Sequence, residues 1–421
     1  MKDSSVTNIA LQSEIGKLGG VILHTPGPEV ENMTPNTVQK ALYSDILNLN
    51  VARTEYNQFR GVLEKVTRTF QVKQLLEDIL QNDGVKAALV KRVCEHERID
   101  TIRDEMLEMD AVNLAVAMIE GIELRRDNLS KYLSKERFEL EPLHNIFFTR
   151  DASVAIGNQV LISKMASRVR ERESIIMEAI FMHHPGFVTS TINPCTSRHF
   201  CKDFSYEGGD LLVAREDILL VGTGLRTTPK GIDFLVDHFR QSGEKRHIIV
   251  QELPYDPESF IHLDMVFTFL DRDLCMIFEP LIMHSSRYLT IHITVENGKV
   301  SIHEEQHIPA ALKALGMDLK TINCGGSKDL ITQEREQWHS GANFFALEPG
   351  KVMGYSRNIY TLDEMHRNGF EILKAKDVAN GKADIDAYKR CVVAVEGAEL
   401  SRGGGGCRCM TMPVNRGPVG W

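Results

Sequence analysis

Between residues 153 and 358 one pattern recurs four times: two short apolar runs separated by turn residues, then, in most cases directly, a helix-compatible stretch and a further apolar run. "SVAIGNQVLIS" (153–163) turns at Gly157-Asn158, and "GGDLLVAREDILLVGTG" (208–224) turns near Arg215-Glu216-Asp217. "MVFTFLDRDLCMIFEP" (265–280) turns at Asp271-Arg272-Asp273, and "NFFALEPGKVMGYSRN" (343–358) at Pro349-Gly350. Alternation with period two sends successive side chains to opposite faces of a sheet, so each pair of runs reads as a β-hairpin. Three hairpins lead into a helix and a strand: "RVRERESIIMEAIFMHH" then "GFVTSTI", "PKGIDFLVDHFRQ" then "HIIVQEL", and "TLDEMHRNGF" then "EILKAK". The remaining unit is less regular, with "YLTIHITV", a hairpin-like "NGKV", and "PAALKALGM" before "LKTINC".

The repeat is therefore ββαβ. "GGVILHTPG" near the start and "CMTMPVNR" at the end supply the halves of a fifth unit, joined by the termini. Units that cannot bury both faces alone must stack on copies of themselves. The fold expected is α/β, a closed five-unit pseudo-symmetric ββαβ propeller. From about Val62 to Lys135 the strand pattern stops, and Val72, Leu75, Leu76, Ile79 and Leu80 form one helical stripe that "NDG" (82–84) ends. This segment is expected to be an all-helical insertion (62–135) in a catalytic domain built from 1–61 and 136–421.

Composition narrows the partners. The 49 Lys and Arg against 58 Asp and Glu leave a net charge of -9, which offers no basic field for nucleic acid or an anionic membrane. No apolar run is long enough to span a bilayer, and the first residues lack the apolar centre of a secretory signal. A cytoplasmic protein with a small-molecule substrate is expected. The eight cysteines lack framework spacing and read mostly as free thiols.

Chemistry-bearing residues fall at one place in the repeat. Asp151 ("FFTRDAS") precedes the first of the four hairpins, Glu207 ("YEGGD") the next, His262 and Asp264 ("HLDMVF") the third, and Cys409 ("GGGGCRCMTMP") the final strand. Singly, each has a plainer reading: a Gly-Gly turn, a structural histidine, a turn-capping aspartate. Together they offer a nucleophile, a proton shuttle and carboxylates suited to a planar cation, because carboxylates pair bidentately with guanidinium. Cys407 and Cys409 could also pair with each other, but no second cluster completes a metal site with them. The four glycines before Cys407 read as a flexible loop that lets Cys409 close over a substrate.

The chain resembles the arginine deiminases of the guanidino-group modifying superfamily, through "SEIGKLGGVILHTPGPEVENMTP", "NIFFTRD", "EGGD", "RTT", "HLD", "REQWHSGANFFALEPG" and "RCMTMP". The resemblance implies hydrolysis of L-arginine to L-citrulline and ammonia, without a metal or organic cofactor, through a covalent S-alkylthiouronium intermediate. It makes Cys409 the nucleophile and His262 the general acid and base, with three catalytic carboxylates: Glu207 assisting at the guanidinium and the histidine, and Asp151 and Asp264 holding the guanidinium nitrogens. Arg170, Arg226, Asn145 and Phe148 would bind the amino-acid end of the substrate. Family members often carry an arginine five residues before the nucleophile, where this chain has Gly404, which leaves Arg402 and Arg408 as candidates. A dimer or larger homo-oligomer is also implied. An amidinotransferase would use a similar set, an agmatine deiminase would not need Arg170 and Arg226 on a carboxylate, and a silent arginine binder could dispense with Cys409 and His262.

Overall fold

All four hairpins form where alternation and turn residues place them. In the computed structural model, which describes residues 6–35, 37–196, 204–284 and 287–421, Ser153–Ile156 pairs with Gln159–Ile162 and Leu211–Arg215 with Ile218–Thr223. Phe267–Asp271 pairs with Leu274–Ile277, and Phe345–Glu348 with Lys351–Tyr355. The second strand of each then takes a parallel partner: Ser190–Ile192, Arg246–Glu252, Lys320–Asn323 and Cys391–Val395 respectively. The termini meet as expected, Leu18–Leu23 lying antiparallel to Met412–Arg416. Cys201 lies outside the described residues.

The closed propeller does not form. Among the described residues the strands fall into seven separate sheets of two to five strands, and no sheet closes or curls on itself. The physical reason lies at the edges. Instead of pairing onward, the Arg246–Glu252 strand adds Thr290–Glu296 and Lys299–Glu305, so that sheet grows outward to a largely exposed edge strand. The architecture is an α/β assembly of small open sheets packed through three apolar clusters.

Several strands sit where the sequence pattern does not place them, among them Ile122–Glu123, which pairs with Phe138–Leu140 inside and beside the stretch expected to be helical. Cys391–Val395, wholly buried, takes the central position beside Lys351–Tyr355 and pushes the expected strand Glu371–Lys374 to the outside. Five buried apolar residues gain more from a position covered on both faces than the half-exposed "EILK" would. Arg68–Gln71, within the stretch expected to be helical throughout, pairs in parallel with Leu18–Leu23. Around it the helical stripe is as expected: Val72–Leu80 buries Val72, Leu75, Leu76, Ile79 and Leu80. "NDG" both follows this helix and starts the next, since the Asn82 side chain accepts from the Gly84 and Val85 amides to cap Asp83–Glu97.

Candidate functional site

Two short motifs dock to build the centre of the site. After Glu207, a 3₁₀ turn Gly208–Asp210 enters its hairpin, and after His262 a matching turn, Leu263–Met265, enters the next. Asp210 Oδ1 accepts from the Leu263 amide at 2.9 Å, and Glu207 Oε2 accepts from His262 Nε2 at 3.0 Å. The glycines between are required by contact: a Cβ on Gly208 would lie 2.0 Å from the Arg150 carbonyl oxygen, and one on Gly209 2.4 Å from His262 Nδ1. The 150–151 turn joins on both sides, because Gly208 N donates to Asp151 O at 3.0 Å and Arg150 N donates to Cys409 O at 3.1 Å.

Asp151, His262 and Cys409 line one cavity of about 770 Å³, together with Asn145, Phe148, Arg170, Arg226 and Arg402. His262 Nδ1 lies 3.6 Å from Asp151 Oδ1, and neither atom has a hydrogen-bond partner although both are buried. Glu207 and Asp264 are fully buried and stand behind this wall. Glu207 Oε1 accepts from the Ala166 amide at 3.0 Å and lies 3.8 Å from Arg226. Asp264 is bound by Arg408 at 2.7 Å, and its carboxylate approaches the Cys409 sulfur to 3.8 Å.

The arginines divide by place. Arg408 is buried between Glu14 and Asp264 and does not line the cavity, whereas Arg402 lies at the rim, held by Asp45 and Glu399. Arg170 is engaged by protein carboxylates, with Asp151 at 2.8 Å and a two-pronged bridge to Glu173 at 3.1 and 2.8 Å. Asn145 donates its side-chain amide to the Ala41 carbonyl. Trp338, His339 and Arg357 also line the cavity. Arg357 follows its hairpin as Arg226 follows another, so the repeat itself was the signal that could have found it. Asp210, inside the quoted "EGGD", and Asn343, whose Oδ1 accepts from the Arg408 and Cys409 amides at 2.9 and 3.3 Å, are further residues that sequence reasoning missed.

The glycine loop is packed rather than loose. Gly404 has φ of +83°, and a Cβ on Gly405 would lie 2.5 Å from the Phe148 ring and 3.0 Å from the Cys409 Cβ. Gly403 and Gly405 let the backbone of the cysteine segment press against Phe148, while Gly404, exposed, supplies the left-handed turn between them. Cys407 is buried, and both it and Cys409 are free thiols.

Charge is distributed unevenly across the site. Burial lowers the proton affinity of His262, but Asp151, Glu207 and Asp210 outweigh it and raise its pKa to about 9. Glu207 is also opposed by burial, yet His262, Arg226 and Arg170 hold it down to about 2. Burial pushes Asp210 up to about 7. The Cys409 thiol is raised well above its usual value, first by burial and then by Asp264 and Asp151. Ligand atoms of Asp151, Glu207 and His262 lie within 4.8 Å of one another, close enough to surround a cation, but Arg170 and Arg226 already bring two positive groups to the same carboxylates. Asp151 Oδ1 remains an unpartnered acceptor on the wall that also carries Cys409, and a planar group that donates hydrogen bonds would match it.

Comparison with known proteins decides the family. Residues 39–416 match the family model "Arginine deiminase". This chain belongs to the arginine deiminase family. It is 32% identical to the arginine deiminase of Listeria monocytogenes serotype 4a, over 99% of each chain, and 32% identical to that of Borrelia garinii subsp. bavariensis, over 97% of this chain and 98% of the other. The Bacillus cereus arginine deiminase is 31% identical over 97% and 98%. Solved structures share the fold at lower identity. SxtG, an amidinotransferase from Microseira wollei, superposes with a TM-score of 0.52 at 13% identity over 98% of both chains. The N-terminal domain of ArgZ, an arginine dihydrolase from cyanobacteria, gives 0.51 at 11% over 95% of this chain and 99% of that one.

Proposed function

We propose that the cavity hydrolyses L-arginine to L-citrulline and ammonia, the reaction of its family, with Cys409 as nucleophile and His262 as proton carrier. The observation that supports these roles best is the unpartnered Asp151 Oδ1 beside His262, in a cavity wall that also presents Cys409. A guanidinium is planar, cationic and donor-only, so it matches that acceptor and brings its carbon toward the sulfur.

In the free enzyme His262 is protonated and Cys409 is a thiol, since three carboxylates favour the one charge and burial disfavours the other. The arriving guanidinium supplies the missing positive charge and lets the thiol lose its proton to solvent. The thiolate attacks the guanidinium carbon, and His262 protonates one nitrogen of the tetrahedral adduct. The C–N bond breaks, ammonia leaves, and an S-alkylthiouronium remains on Cys409. His262, now neutral, takes a proton from water as the water attacks the same carbon. The C–S bond breaks as the adduct's hydroxyl becomes the carbonyl, its proton passes to the departing sulfur, citrulline leaves, and Cys409 is again a thiol. Glu207 orients and holds charged His262; Asp264 fixes the cysteine segment through Arg408 and faces the sulfur.

Asp151 exchanges part of its contact with Arg170 for the substrate, and Arg226, Arg402, Asn145 and Phe148 receive the amino-acid end, with Arg357 as a further cation on the wall. Residues 62–135, apart from the strands Arg68–Gln71 and Ile122–Glu123, serve as a helical insertion in a catalytic domain of 1–61 and 136–421. The protein works in the cytoplasm as a homo-oligomer and binds no nucleic acid. Its net charge of -9 supports the last reading, the exposed Leu129, Tyr132 and Leu133 supply apolar surface for assembly, and no helix among the described residues is long and apolar enough to cross a membrane.

The test is product analysis with L-arginine and agmatine in parallel. Citrulline and ammonia from arginine, with agmatine turned over at least about 100-fold more slowly, support a carboxylate-reading deiminase; equal use of both would remove the arginines from substrate recognition.

A further inference from the structure

The strand pair Thr290–Glu296 and Lys299–Glu305 belongs to none of the functional motifs, and none of its residues lines the cavity. Its turn, Asn297-Gly298, has positive φ at both residues, the geometry that suits the twist of a two-residue hairpin. The register that follows is what matters. His292 lies opposite His303, and Thr290 opposite Glu305, so the two histidines and Glu305 share one face of the sheet. On the neighbouring strand Arg246–Glu252, His247 lies opposite Thr294 on that same face.

The side chains converge on one oxygen. Glu305 Oε1 lies 3.2 Å from His292 Nδ1 and 3.1 Å from His303 Nε2, and all the ligand atoms lie within 4.8 Å of one another. Around zinc, with bonds of about 2.0–2.2 Å and tetrahedral angles, neighbouring donor atoms sit roughly 3.3–3.5 Å apart. The face thus presents two imidazole nitrogens and a carboxylate near the spacing such an ion demands. We propose that the 290–305 hairpin carries a site for a borderline divalent transition metal, with zinc(II) as reference ion, bound by His292 Nδ1, His303 Nε2 and Glu305.

Two observations add to the spacing. His292 is buried while His303 is half exposed, so an ion would have a fixed inner ligand and an open approach. His292 Nε2 lies 3.0 Å from His247 Nδ1, with Thr294 Oγ1 at 3.3 Å. Without metal, His247 can donate to His292 while His292 donates to Glu305. With metal, the His292 proton moves to Nε2 and is donated to His247, freeing Nδ1 as a lone pair, the outer hydrogen bond that commonly orients a ligating histidine. Water would complete the coordination, and the ion would pin the exposed edge strand to its neighbour. Imidazole with a single carboxylate suits zinc, cobalt, nickel or copper rather than calcium or magnesium.

The experiment titrates zinc chloride into the full-length protein by calorimetry, alongside His303→Ala and Glu305→Gln, and follows the cobalt(II) visible spectrum of each. The expected result is a one-equivalent event in the wild type, weakened by about tenfold or more in both variants, with a zinc-dependent rise in melting temperature that both variants lose and arginine turnover unchanged in both. Zinc bound equally by wild type and either variant would place binding elsewhere, including at Cys409 and His262, and would overturn the proposal. So would an absence of binding in the wild type.

Discussion

His262 carries its charge among three carboxylates, and each sets part of its proton affinity. The rate should therefore fall on the alkaline side as His262 loses its proton near pH 9, and kcat/KM measured across pH 6 to 10 checks this. Asp210 is the least expected of the three. Asp210→Asn keeps an acceptor for the Leu263 amide but removes a negative charge, so the alkaline limb should move to lower pH while the fold persists. An unmoved limb would show that Asp210 only holds the turn. At this scale the sequence was most readable where a motif lies next to a hairpin: Asp151, Glu207 and His262, each just ahead of one, come into contact, with Cys409 on the same cavity wall as Asp151 and His262. Arg408 was unreadable: only the packing shows that it turns inward to Glu14 and Asp264, leaving Arg402 at the cavity.

Single elements hold the site by close contact. Gly405→Ala would force a Cβ against the Phe148 ring and the Cys409 Cβ, so it should cost about 1–3 kcal/mol by urea denaturation and reduce kcat through displacement of the sulfur. Asn82→Ala, far from the cavity, should cost about 0.5–2 kcal/mol through loss of a helix cap and leave turnover unchanged. The hairpins were legible because alternation and turn residues are local signals. The strand Arg68–Gln71 was not, since its four half-buried residues form no apolar run, and neither was the central place of Cys391–Val395, which is set by a partner some forty residues away. The metal face was hidden for the same reason: His292 and His303 become neighbours only through register.

For the molecule as a whole, the repeat determined which strands pair within a unit but not how the sheets end, and the expected closed array gives way to separate open sheets. The buried charges also make stability depend on pH. Glu14 and Glu207, held near 2, contribute stability that is present above their unfolded value and lost as pH falls toward 2. His262, raised to about 9, contributes stability that is present below its unfolded value near 6.5 and lost as pH rises through 9. Asp210, raised to about 7, binds its proton more tightly when folded, so its effect is to lower stability as pH rises from about 4 to 7. Melting temperature should therefore fall below about pH 4.5, as Glu14 and Glu207 take up protons, and above about pH 6.5, as the His262 contribution is lost, and a scan from pH 3 to 10 measures both limbs.

The central claim is that Cys409 becomes covalently bound to the amidino carbon during turnover. Intact-protein mass spectrometry after rapid acid quench of the enzyme with L-arginine tests it most directly. The account predicts a transient mass increase equal to arginine minus ammonia, mapped to the Cys409 peptide and absent, together with citrulline formation, in Cys409→Ala. Continued citrulline production by Cys409→Ala would contradict it.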